Sequence, residues 1–148
     1  MKLFKSHDPN IFHYTTSVCY RRVPIFRSDK ACGLLIEALT ETREKCPFKL
    51  IGYVIMPDHA HLIVNPLGRD ISTVMGRLKS SSARKIIDWL RDSDYAASLR
   101  KLELRWAAEA GPHTRSLAEG LFIDRPLEPK VCASEAQLHS PESGQGWP

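Results

Sequence analysis

No stretch of this chain is apolar for long enough to cross a bilayer, and its opening residues, Met1-Lys2-Leu3-Phe4-Lys5-Ser6-His7, lack the apolar core of a signal peptide. Those absences point to the cytoplasm and away from a membrane partner. The four cysteines, Cys19, Cys32, Cys46 and Cys132, contain no Cys-x-x-Cys spacing. They read as buried or partly exposed thiols of a reducing compartment, without a disulfide framework. Charge of either sign is also scarce in excess: 21 Lys and Arg against 17 Asp and Glu give +4 and a pI near 9.0. Such a balance permits a polyanionic partner without demanding one. With 43% hydrophobic residues in 148, the chain can bury one core.

What the chain does have is the run Tyr53-Val54-Ile55-Met56-Pro57-Asp58-His59-Ala60-His61-Leu62-Ile63-Val64-Asn65-Pro66. It reads as strand on both sides of a Pro-Asp break. In a strand, residues i and i+2 share a face, so His59 and His61 present two imidazoles side by side while Ala60 and Leu62 face the other way. Two neutral imidazoles on one face are half of a metal site. His13, between Phe12 and Tyr14, reads instead as an ordinary strand-face residue.

Around this run the pattern alternates between the two periods. Phe12 to Tyr20 alternates as a strand. Asp29 to Lys45 places Ala31, Leu34, Leu35, Ala38 and Leu39 on one helical stripe, with Ser28 as N-cap. Phe48–Met56 and His59–Asn65 are strands joined through Pro57-Asp58 by a turn, bulge or bend. Asp70 caps a helix over Ile71–Leu90 whose apolar positions are Val74, Leu78, Ile86, Ile87 and Leu90, and Trp89 among them reads as core. Ser80-Ser81-Ser82 reads as a solvated helix face. Helices interleaved with antiparallel strands imply an α+β two-layer domain.

The histidine run resembles the histidine-hydrophobic-histidine (HUH) motif of single-tyrosine transposases of insertion-sequence type, most closely the REP-associated tyrosine transposases. The likeness extends to Phe12-His13-Tyr14-Thr15-Thr16, to Tyr20-Arg21-Arg22-Val23-Pro24-Ile25-Phe26 and to Ile71-Ser72-Thr73-Val74-Met75-Gly76-Arg77-Leu78-Lys79-Ser80, covering roughly residues 10 to 104. It implies a ferredoxin-like antiparallel sheet with helices on one face and the histidines on a central strand. It also implies His59 and His61 as catalytic residues holding a divalent cation, Mg²⁺ or Mn²⁺, on the scissile phosphate of single-stranded DNA that carries hairpins. In the family a tyrosine on a later helix then forms a 5′-phosphotyrosine intermediate, which a second strand's 3′-hydroxyl resolves. Arg21, Arg22, Arg77, Lys79, Arg84 and Lys85 lie beside the segments that would frame such a site and are the expected phosphate contacts. The resemblance allows a monomer or a homodimer.

The family's Tyr-Ile-x-x-Asn-Pro string is absent. Tyr95 is followed one turn later by Leu99, which cannot ligate a metal, and it comes too soon after the histidines. Past Leu104 the chain loses both periods, so residues 1–104 are expected as the transposase-like domain and 105–148 as an irregular, poorly ordered tail. Back-translating Val131–Pro148 with free codon choice and reading one nucleotide later permits Phe-Val-His-Gln-Lys-Leu-Asn-Tyr-Ile-His-Leu-Asn-Pro-Val-Arg-Ala-Gly, the missing string. The hypothesis that follows is a frame change between about Leu104 and His113, under which this chain is expected to lack nucleophile and third ligand. Three classes follow: a nicking and joining transposase inactive in this frame, a non-catalytic hairpin-binding remnant, and a histidine-triad nucleotide hydrolase. The last requires a further histidine at 63, where Ile63 stands.

Overall fold

The computed structural model describes residues 10–109 and 117–124. Strand β1 (His13–Cys19) leads through short helical turns at Tyr20–Arg22 and Ile25–Arg27 to helix α1 (Asp29–Lys45), then β2 (Lys49–Met56) and β3 (His59–Asn65). Helices α2 (Ile71–Arg91), α3 (Ala96–Glu109) and the one-turn α4 (Leu117–Gly120) precede β4 (Phe122–Asp124). The sheet order is β2-β3-β1-β4, antiparallel at each pairing. Two interleaved βαβ units in that order are the ferredoxin-like arrangement, the α+β fold expected from the sequence.

The helices form because their apolar stripes have a sheet face to cover. Ala31, Leu34, Leu35, Ala38 and Leu39 of α1 are buried with Val74, Leu78, Ile86 and Ile87 of α2 against Ala60, Leu62 and Val64 of β3. Asp70 caps α2 as expected, its carboxylate accepting from the Thr73 amide at 3.1 Å. Ser28 stands at the N-cap of α1 but its side chain makes no capping bond. Lys85 reaches across from α2 to Glu37 at 2.7 Å and Glu41 at 2.8 Å, two carboxylates one turn apart on α1. Ser82, expected to face solvent, is buried, because its hydroxyl donates to the Leu78 carbonyl at 2.8 Å and so needs no water.

Pro57 and Asp58 form a two-residue turn that closes a hairpin, with Met56 opposite His59. Neither residue takes the positive φ of the turns usual at this length. The turn is braced from outside instead: the Phe26 amide donates to the Pro57 carbonyl at 3.0 Å and the Cys19 amide to the Asp58 carbonyl at 2.8 Å. The irregularity that could have fallen there lies in β2, between Leu50 and Gly52.

The fold continues past residue 104. Helix α3 runs to Glu109, and Leu117, Leu121 and Phe122 are buried while β4 pairs with β1 from Ser17 to Cys19. A four-residue helix and a three-residue strand are too short to show a period, so composition alone read them as tail. Cys132 and the remainder of 105–148 lie outside the described residues. Cys19, Cys32 and Cys46 are free thiols, buried or half-buried. No helix among the described residues is long and apolar enough to cross a membrane.

Candidate functional site at the histidine pair

Because β3 is paired on both sides, its alternation is enforced by two ladders rather than one. Ala60, Leu62 and Val64 enter the helical layer, and His59 and His61 project from the opposite, open face. Their rings lie edge to face with centroids 4.8 Å apart. Val18 and Thr16 of β1 stand beside them on one side, Met56 and Val54 of β2 on the other.

Each imidazole is held at Nδ1. Asp58 approaches Nδ1 of His59 through Oδ1 at 2.6 Å, while its Oδ2 accepts from Arg22 Nη1 at 2.8 Å. Nδ1 of His61 lies 2.7 Å from the Tyr14 hydroxyl and 2.9 Å from that of Thr16, and the Tyr14 ring stacks on the imidazole at 5.3 Å. The hydrogen bond from His59, followed by that from Arg22, holds the Asp58 carboxyl below its ordinary range. Partial burial, with the neighbouring His59 adding to it, lowers His61, favouring the neutral form that ligates metals. Among the described residues no hydrogen bond reaches either Nε2. Two such nitrogens fit part of a divalent cation's donor set, and among the described residues no third His, Cys, Asp or Glu joins them.

The expected phosphate contacts divide between two locations. Arg21 and Arg22 occupy the turn after β1 with left-handed backbone, φ 51° and 54°. That turn aims Arg22 at Asp58 and Arg21 at Glu109, which also accepts from the Tyr20 hydroxyl. Arg77, Lys79, Arg84 and Lys85 all lie on α2, in the layer across the sheet from the histidines, with Lys85 paired to Glu37 and Glu41. Tyr95, in the α2–α3 connection, tilts against half-buried Trp89 at 5.8 Å, and Leu99 one turn on is buried. Sequence reasoning assigned no role to Asp58, Tyr14 or Thr16. The last two were detectable only through cross-strand register, in which Thr16 sits opposite His61.

The fold is a ferredoxin-like sheet with a histidine pair on the open face of its central strand. Residues 9–106 match the family described as Transposase IS200 like, and the chain belongs to that family. A crystal structure from Deinococcus radiodurans R1, carrying a provisional transposase assignment, superposes with a TM-score of 0.50 at 19% identity over 62% of this chain and 71% of that one. At that identity the likeness concerns the fold alone. A REP-associated tyrosine transposase bound to a REP hairpin gives a TM-score of 0.47 at 20% identity, over 57% of this chain and 53% of that one. No curated protein matches the chain.

Proposed function

We propose that this chain derives from a single-stranded DNA transposase that nicks and rejoins strands, with His59 and His61 as ligands for Mg²⁺ or Mn²⁺ and hairpin-bearing DNA as substrate. The supporting observation is the histidine pair itself, adjacent on an open sheet face with each Nδ1 occupied by a protein partner. A bound cation would supply Lewis-acid polarisation of a phosphate oxygen. The chain's own residues supply the rest: His59 and His61 present Nε2, and Arg22, with four of its five N–H donors beyond the one on Asp58, can also meet a phosphate. The nucleophilic tyrosine and third ligand belong to the shifted reading frame after Leu104. In the frame as it stands the protein binds hairpin DNA and does not cleave it; the lack of cleavage is favoured by Leu99, a residue that cannot ligate a metal, one turn beyond Tyr95.

A covalent-adduct assay tests this. With Mg²⁺ or Mn²⁺, a chain restored to the shifted frame should form an adduct with hairpin-bearing single strands, and the same chain with His59→Ala should form none while still binding. The 148-residue chain should bind without forming an adduct. An adduct from the 148-residue chain would refute the missing nucleophile, and failure of the restored chain would refute the frame change. Resequencing the gene from the codon of Leu104 onward decides independently whether a base has been gained or lost.

A further inference from the structure

We infer that Asp58, clamped by Arg22, is a positioning residue that fixes His59 in the tautomer with its proton on Nδ1 and its lone pair on Nε2. An ionised carboxylate only accepts hydrogen bonds, so the 2.6 Å contact requires a hydrogen on Nδ1 of His59. Nε2 of the neutral ring is then bare and faces the same open side as His61.

Four contacts keep the carboxylate where it is. Oδ1 takes His59 and Oδ2 takes Arg22 Nη1 at 2.8 Å, so rotating the carboxylate would break both. The Asp58 carbonyl accepts from the Cys19 amide at 2.8 Å, which ties the turn to the end of β1. Arg22 is itself aimed by the left-handed backbone at Arg21 and Arg22, closed by the Val23 amide on the Tyr20 carbonyl at 3.2 Å. The contact is sheltered as well: the Asp58 and His59 side chains are 19% and 20% exposed, whereas that of Arg22 is 53% exposed. Water therefore reaches the outer clamp more readily than the inner bond.

The two histidines are not held alike. Nδ1 of His61 meets the hydroxyls of Tyr14 and Thr16, each of which can donate or accept, so that contact dictates no tautomer. Only His59 faces a partner that admits one answer. A carboxylate behind a ligating imidazole orients the ring and raises its basicity, and losing such a partner lowers metal affinity by about 10- to 100-fold. What Nε2 serves rests on the proposed metal reading, but the tautomer itself does not.

The full 148-residue chain, labelled with ¹⁵N and free of metal, gives the tautomer directly from two-bond ¹H–¹⁵N correlations at a pH where His59 is neutral. His59 should show a protonated Nδ1 and a bare Nε2, and Asp58→Ala should shift it toward the Nε2–H form. Asp58→Asn, which keeps an acceptor oxygen, should retain more of the original form. A wild-type His59 protonated at Nε2 overturns the inference without need of any variant. Mn²⁺ titration followed by electron paramagnetic resonance separates the two readings. If wild type and His59→Ala take up Mn²⁺ alike, the metal reading fails while the tautomer result still decides the inference. If His59→Ala weakens uptake and Asp58→Ala does not, the positioning role is refuted.

Discussion

Salt dependence of DNA binding distinguishes which cations meet the strand. Each phosphate neutralised on a single strand contributes about −0.7 to the slope of log K against log salt. If DNA lies on the histidine face, only Arg21 and Arg22 of the six expected contacts stand near it, because Arg77, Lys79, Arg84 and Lys85 are on α2 across the sheet. Two contacts give a slope of about −1.4 and a loss of about 7-fold between roughly 50 and 200 mM salt, whereas six give about −4.2 and a loss of about 300-fold. Other cations add a common background, so the decisive quantity is the change on substitution. Arg22→Ala should make the slope shallower by about 0.7. Lys85→Ala, whose ammonium already bridges Glu37 and Glu41, should leave it unchanged. Fluorescence anisotropy with a labelled hairpin oligonucleotide at several salt concentrations measures both. A flatter slope for Lys85→Ala with none for Arg22→Ala would put the DNA on the helical layer and refute the assignment of the open face.

The same structure makes other outcomes specific. Leu62 is 2% exposed between the sheet and the helices, so Leu62→Ala should lower unfolding free energy by about 2–5 kcal/mol in urea titration, and a cost below about 1 kcal/mol would contradict a closed core. Burial, with the Asp58 charge adding to it, pushes the Cys19 thiol up to about 12, so iodoacetamide at pH 8 should spare it until the protein unfolds, as peptide mapping will show. The hydrogen bond from Lys85 holds the Glu37 carboxyl below its ordinary 4.5. The unfolded state then binds the proton first, so this contribution is complete above that pH and is lost as pH falls below it. Glu37→Gln should therefore flatten the acid side of the melting-temperature profile, and an unchanged acid side would show that the pair contributes nothing.

What was legible in the sequence was whatever a local period can carry. Helix α1 spans the expected Asp29–Lys45, β3 spans His59–Asn65, and Asp70 caps α2. Alternation alone set the histidines on one face and Ala60 and Leu62 on the other. What was not legible depends on elements meeting from a distance. The clamp on His59 needs Arg22, 36 positions upstream of Asp58, and the contact on His61 needs Tyr14, 47 positions upstream. The α2 cations looked adjacent to the histidines along the chain because β3 leads into α2, yet that connection carries the chain to the other side of the sheet. Strand β4 escaped notice because three residues paired to β1 leave no repeating signature.

Arg21 and Arg22 sit side by side in a backbone basin that costs an ordinary L-residue about 1–2 kcal/mol and glycine almost nothing. Selection for thermal endurance alone should therefore drive both codons toward glycine or asparagine. Selection for whatever the histidine face accomplishes should keep arginine at position 22, since a replacement without the guanidinium leaves Oδ2 of Asp58 unclamped. Two populations drawn from one library and taken down those two routes would diverge at that codon, and the direction of divergence separates what this turn contributes to folding from what it contributes to work.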